Sequence, residues 1–286
     1  MNPAADFALH GFSWQPGLPD YRDYTPEHPV VTAMLTRLKP SRRHEDNIAS
    51  SIDLRPYFPP AQDQLCLRSA TAHAAVALIE YFQRRAMGEH TAGSIRFVYK
   101  MTRKLLGREG NMECDLRTVL KAIARFGIPP EHLCPYDVSR FDEEPEAFLY
   151  SFAEPFRPLV YARLDGANVS GSETLLRMRA FLEAGFPFAL GVAVPESMTS
   201  EPDIPWQPLH DSIRGGHAFL AVGYDDQRIR STKGALLVRN SWGTPWGDNG
   251  YAWLPYRYVE AQMVSECWTV LKDTWLDRHE FHRPAL

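Results

Sequence analysis

A chain of 286 residues with 44% hydrophobic and 12% aromatic side chains is long enough to bury one large core or two lobes that share an interface. Its formal net charge of -4 offers no basic field for nucleic acid, and no run of apolar residues is long enough to cross a membrane. The four cysteines, Cys66, Cys114, Cys134 and Cys267, form no CxxC pair and have no close histidine, so neither a zinc site nor any other cofactor is expected. Buried thiols are their simplest reading, a Cys66–Cys114 bridge staying open for an exported chain. Met1 to Leu18 lacks a basic leader with an apolar core, so a cytoplasmic location is expected.

Residues 1–50 are rich in proline and charge and carry no sustained helical period, which predicts an extended N-terminal arm over the body. Gly17 to Asp23 is expected to be an anchored turn, too short to be a helical inhibitory pro-domain. After Pro59-Pro60 comes a polar loop through Asp63-Gln64. Ala72, Ala75, Ile79 and Phe82 then recur at helical spacing, with Ser69 as N-cap and Gly88 as the stop. Further helices are predicted from Ser94 to Leu106, from Asp115 to Gly127, and from Ser172 to Ala184.

The period then changes to that of strands: 188–194, 218–224, 235–239 and 251–254. Helices first and strands later predict an α+β protein, with a mainly helical lobe over 51–160 and a β-rich lobe over 161–286. Pro195 and Met198 are expected in a loop at the cleft edge. His210-Asp211 is taken as loop, and the basic tail 277–282 as a solvated end.

The stretch Gly215 to Tyr251 carries the strongest chemical signal. It holds a histidine at a strand start, a second strand ending in asparagine, then tryptophan and a run of glycines. An imidazole oriented by an amide and shielded by an indole is machinery for activating a nucleophile. A thiol peptidase also needs a helix N-terminus that favours a thiolate, and a glutamine upstream to donate to the oxyanion. Gln64, the helix start near Ser69, His217 and Asn240 occur in that order.

At this point the chain resembles the papain-like cysteine peptidases, specifically their short bacterial members. Asp63-Gln64, Gly215-Gly216-His217-Ala218, Asn240-Ser241-Trp242-Gly243 and Trp246-Gly247 through Gly250-Tyr251 carry the resemblance, which covers roughly residues 50–275. It implies a papain-like two-lobed fold, a helical left lobe facing an antiparallel β-barrel right lobe across a cleft. It also implies roles: His217 as general base, Asn240 as its orienter, Trp242 as shield, Gln64 as oxyanion donor. Glu109-Gly110-Asn111 would be the left wall, and Gly110, Asn111, Gly216, Trp242 and Arg68 would meet a bound peptide.

One position departs. The family pattern places the thiol six residues after the glutamine, and here that residue is Ala70, with Leu65 and Arg68 replacing two glycines of the loop. A methyl group cannot attack a carbonyl. Ser69 and Cys66 are poorly placed substitutes, and His73, one turn further on, reads as a core or rim residue. The favoured reading is a natural pseudo-peptidase whose cleft binds a peptide or protein segment. The alternative is a working cysteine endopeptidase or acyl-transfer enzyme whose catalytic cysteine was exchanged for Ala70. A third reading, the fold as inert scaffold, predicts drift at His217 and Asn240.

Overall fold

The computed structural model describes residues 10–37, 49–89, 91–153, 159–166, 168–206, 211–229, 231 and 233–276. His210 and the tail from Asp277 to His282 lie outside these residues.

Four helices build one side of the molecule. α1 spans Pro29–Arg37, α2 Ala70–Met87, α3 Ile95–Leu105 and α4 Leu116–Phe126. The sequence explains their ends. Ser94 and Asp115 accept hydrogen bonds from the backbone amides of Phe97 and Thr118, satisfying first-turn donors of α3 and α4. Gly88 takes a left-handed φ of 79° behind α2, a conformation open to glycine at little cost. α2 is buried along nearly its whole length because its small residues, Ala70, Ala72, Ala74, Ala75 and Ala77, let neighbours approach on every side.

A short helix α5 at Leu149–Ala153 leads towards β2, Val160–Arg163, and α6 follows at Gly171–Glu183. Strands β3 at Phe188–Pro195, β4 at Ile213–Asp225, β5 at Ala235–Arg239 and β6 at Tyr251–Pro255 come next. α7 at Tyr256–Glu260, β7 at Val264–Leu271 and α8 at Asp273–Leu276 complete the elements. The strands pair antiparallel in the order β2-β7-β3-β4-β5-β6, with a further strand, β1 at Ser51–Asp53, added on β4. No ladder among the described residues joins β2 to β6. The α+β class is therefore as the sequence implied.

Several local expectations need correction. The arm over 1–50 is not wholly extended, since α1 forms there between two prolines and buries Val31 and Met34. β1, assigned by sequence to the helical lobe, hydrogen-bonds into the sheet of the other. His217 sits mid-strand and not at a strand start, because β4 begins five residues earlier than its apolar run. Met198 is buried in the core and Pro195 ends β3, so neither lies in a loose cleft-edge loop. Ser69 occupies the N-cap position of α2 without capping it; its hydroxyl hydrogen-bonds Tyr136 Oη at 2.7 Å instead.

One continuous apolar core runs from α2 through the sheet to α8, so the helical side and the sheet share a wall instead of merely abutting. That wall fixes where α2 begins. Its N-terminus faces the β4–β5 edge, and the residues of the sequence constellation converge there.

Candidate active site

His217 is fully buried on β4, and Asn240 follows β5 directly, so adjacent strands deliver both side chains. His217 Nε2 lies 2.8 Å from Asn240 Oδ1. The same oxygen accepts the Ser241 amide at 2.7 Å, which identifies it as the carbonyl end of the carboxamide. Nε2 must then carry the proton, leaving Nδ1 a bare acceptor with no hydrogen-bond partner. Burial is the main cause that pulls the imidazole pKa down to about 3, against the opposing pull of the Asn240 hydrogen bond. The ring is neutral at physiological pH.

Trp242 lies over this pair, its ring centroid 4.7 Å from that of His217. Trp246 packs edge-on against Trp242 at 5.6 Å, and Phe219 packs edge-on against His217 at 5.0 Å. The hydrogen bond of the pair is thereby kept from water.

Gln64 reaches the same place from the other lobe. Its backbone amide donates to Ser241 O at 2.7 Å, and its Oε1 accepts the Ser241 hydroxyl at 2.6 Å. Held at both ends, the carboxamide points its Nε2 outward to Gly11 O at 3.1 Å, Ser13 Oγ at 2.8 Å and Leu67 O at 2.7 Å.

Ala70 is the first residue of α2 and fully buried. With Gln62, His73, Asn240 and Ser241 it lines a narrow internal cavity. His73 is buried as well, its Nδ1 3.0 Å from Ser69 O and its Nε2 without a hydrogen-bond partner. Burial holds its pKa down near 4. Ser69 is not set up as a nucleophile: Tyr136 Oη donates to Gln64 O at 2.8 Å and so accepts the Ser69 proton, and the imidazole beside the hydroxyl, at 3.3 Å, is that of His73 and not that of His217. Cys66 lies exposed on the loop before α2, and all four cysteines are free.

The loop over 65–68 is pinned from behind. Asn111 Oδ1 accepts the Arg68 amide at 2.7 Å, its Nδ2 donates to Cys66 O at 2.9 Å, and Tyr99 Oη donates to the same Oδ1 at 3.0 Å. Gly110 O accepts from the buried Arg103. Gly110 and Asn111 thus brace the loop, and the main-chain pairing of that wall falls further on, at Cys114. Arg68 pairs with Glu113 of the same lobe. Leu65, standing where the family pattern has glycine, adopts a left-handed φ of 53°.

The feature that residue patterns did not disclose is the course of the arm. Residues 10–15 run through the cleft itself. Ser13 N and Trp14 N both donate to Gly216 O, at 2.9 and 3.0 Å, and Gln15 N donates to Cys114 O at 3.4 Å. The Trp14 indole lies between Gly191 and Gly216, and its Nε1 donates to Glu266 Oε2 at 2.7 Å. His10 stacks on Trp242 at 5.6 Å and contacts Asp63 Oδ1 at 2.8 Å. A side chain at Gly216 would meet Trp14 O at 2.3 Å, so glycine there permits the approach of the arm backbone. The sequence did place Gly216 in the cleft. It missed Trp14 and Glu266, whose only signal is an aromatic and an acid in unremarkable contexts. Among the described residues no group of three or more histidine, cysteine or carboxylate side chains could hold a metal ion, and no helix is long and apolar enough to cross a membrane.

A helix N-terminus set against an imidazole–carboxamide pair, with a glutamine donor between the two lobes, defines a cysteine-peptidase class of architecture. Comparison with known proteins agrees. Residues 204–269 match the papain family cysteine proteases. An uncharacterised peptidase C1-like protein of Acanthamoeba polyphaga mimivirus is 29% identical over 225 residues, covering 74% of this chain and 70% of the viral one. The crystal structure of xylellain, a cysteine protease from Xylella fastidiosa, superposes with a TM-score of 0.74 at 27% identity, covering 91% of this chain and 95% of that one. A digestive procathepsin L 3 of Tenebrio molitor, 18% identical with a TM-score of 0.63, shares the fold over 82% of this chain and 72% of its own. The chain is thus similar to the papain-like cysteine peptidases, in sequence over residues 204–269 and in fold over most of its length.

Proposed function

We propose that this chain is a pseudo-peptidase of the family: its cleft binds a peptide or protein segment and does not cleave it. The observation that carries this reading is Ala70, buried at the first residue of α2, while His217 Nδ1 stands without a hydrogen-bond partner. General-base chemistry needs an acidic proton on the nucleophile, and a methyl group supplies none. Loss of the nucleophile in comparable triads leaves only about 10³–10⁴-fold acceleration over water.

The binding half of the site, by contrast, is furnished. Gly216 O and Cys114 O accept main-chain amides, and Gln64 donates to a main-chain carbonyl. These contacts require no particular side chain and would serve any extended segment. The chain's own arm makes them here, so an incoming segment competes with it. Four free thiols fit a reducing compartment such as the cytoplasm.

The unaltered His217–Asn240 pair and the anchored Gln64 favour a second reading, a working thiol endopeptidase or acyl-transfer enzyme in which alanine replaced cysteine at position 70. The experiment is A70C in the full chain, with W14A added to loosen the arm, exposed to a peptide aldehyde or vinyl sulfone. Adduct formation at the new thiol with no peptide turnover by the unaltered chain is the expected result. Turnover by the unaltered chain would overturn the proposal.

A further inference from the structure

The slot that holds Trp14 is built more specifically than a path for backbone requires. Its walls are glycines: an ideal Cβ at Gly191 would lie 2.0 Å from Trp14 Cε2, and one at Gly216 would lie 2.6 Å from Trp14 Cε3. Gly191 and Gly216 face the same side of the β3–β4 ladder, two register steps apart, so the two missing side chains together leave a flat recess. At its floor is Glu266, 1% exposed, whose Oε2 accepts the indole N–H at 2.7 Å and the Leu116 amide at 3.2 Å.

Glu266 is held there by an unusual backbone. Its φ is 55°, left-handed for a residue with a side chain, at the irregularity where β7 departs from β3. Such a conformation is strained and persists when the surroundings hold it. A buried carboxyl also loses its hydration, which the Trp14 and Leu116 donors replace at Oε2. The recess therefore combines a planar apolar wall with a carboxyl acceptor at its end, the complement of an indole edge.

Trp14 belongs to the apolar core, so an incoming segment has to compete for the slot, while the arm beyond it passes through Leu18, 86% exposed, and Tyr21, 98% exposed.

We propose that this slot is a tryptophan-recognition subsite, in which Glu266 reads the indole N–H and the Gly191–Gly216 recess reads the flat ring of a tryptophan-bearing partner peptide that displaces the arm. The proposal rests on the peptide-binding reading above and adds the chemistry of what is bound. Leucine would fill the recess without satisfying Glu266. Arginine would offer a flat cation to it.

The test uses the full chain carrying W14A, which empties the slot, and a fluorescein-labelled peptide of sequence His-Gly-Phe-Ser-Trp-Gln-Pro. Fluorescence anisotropy is compared for this peptide and for versions with leucine, arginine or 1-methyltryptophan in place of tryptophan. The proposal expects the tryptophan peptide to bind W14A at least tenfold more tightly than the leucine and 1-methyltryptophan versions, and tenfold more tightly than it binds the unaltered chain. E266Q added to W14A should remove most of that preference. The 1-methyltryptophan comparison reads the N–H contact even if E266Q fails to fold. Equal affinity for tryptophan and leucine peptides, or tightest binding of the arginine peptide, would overturn the indole assignment while leaving peptide binding intact. Absence of binding by every peptide would overturn both.

Discussion

The Gln64 carboxamide, anchored by Ser241 of the opposite lobe, donates to the carbonyl of Gly11 at 3.1 Å. The group that the family resemblance assigns to an oxyanion is thus engaged by the chain's own N-terminal arm. Occupation of the cleft and the alanine at position 70 bear on the same question, what this site does when no substrate is turned over.

Orientation of His217 depends on a single strong contact. Asn240 Oδ1 accepts both the imidazole N–H and the Ser241 amide, so N240A leaves two buried donors unsatisfied. The expected cost is about 1–3 kcal/mol of stability, the usual penalty for orphaned buried donors. The His217 ring N–H should give a slowly exchanging downfield proton resonance in the unaltered chain, and this resonance should vanish in N240A. A persistent resonance would show that the tautomer is set by something else.

Trp14 should dominate how tightly the arm is held. It is 7% exposed, and truncation of a buried tryptophan to alanine costs about 3–5 kcal/mol in typical cores. W14A should therefore lower the melting temperature and accelerate amide exchange at Ser13 and Gln15, while amides of α2 and β5 stay protected. G216A attacks the same contact from the other side, because its methyl would collide with Trp14 O. Both variants should expose residues 10–15 to limited proteolysis.

Three buried groups shape the pH dependence, in two opposite senses. Burial raises Glu80 to about 7, despite the Gly93 amide that its carboxylate accepts. The folded state then binds more protons than the unfolded chain between pH ~4.5 and 7, so stability falls as pH rises through that window. E80Q keeps an acceptor for Gly93 and should flatten this limb, gaining up to about 2–3 kcal/mol at pH 8 by the linkage relation. His73 and His217, held down near 4 and 3 by burial, act the other way. Their unfolded forms take up protons first, so stability is lost as pH falls from about 6.5 to those values. Urea midpoints measured from pH 4 to 9 check both limbs.

Much of the fold was legible because its signals are local. Ser94 and Asp115 cap α3 and α4 as their spacing indicated, and the apolar runs of β3 to β6 fell within a few residues of their observed bounds. Asn240, Gln64 and His217 are brought together as their chain order suggested. What escaped has a common physical cause. Trp14 meets Glu266 across 252 residues, and neither carries a local pattern that predicts the meeting. α1 hides between prolines, and β7 contains the buried polar residues Glu266 and Thr269, which break the apolar run that marks a strand. The hydroxyl of Ser69 went to Tyr136 and not to a cap because a tertiary partner outcompeted the local one.

The central claim, a binding cleft without its nucleophile, is tested most directly by peptide hydrolysis under one set of conditions by four full-length chains: unaltered, W14A, A70C and A70C with W14A. The account predicts no turnover by the first two, even at high enzyme concentration, and covalent labelling at position 70 in the doubly altered chain. Hydrolysis by the unaltered chain or by W14A, lost on further substitution C66A or S69A, would contradict it.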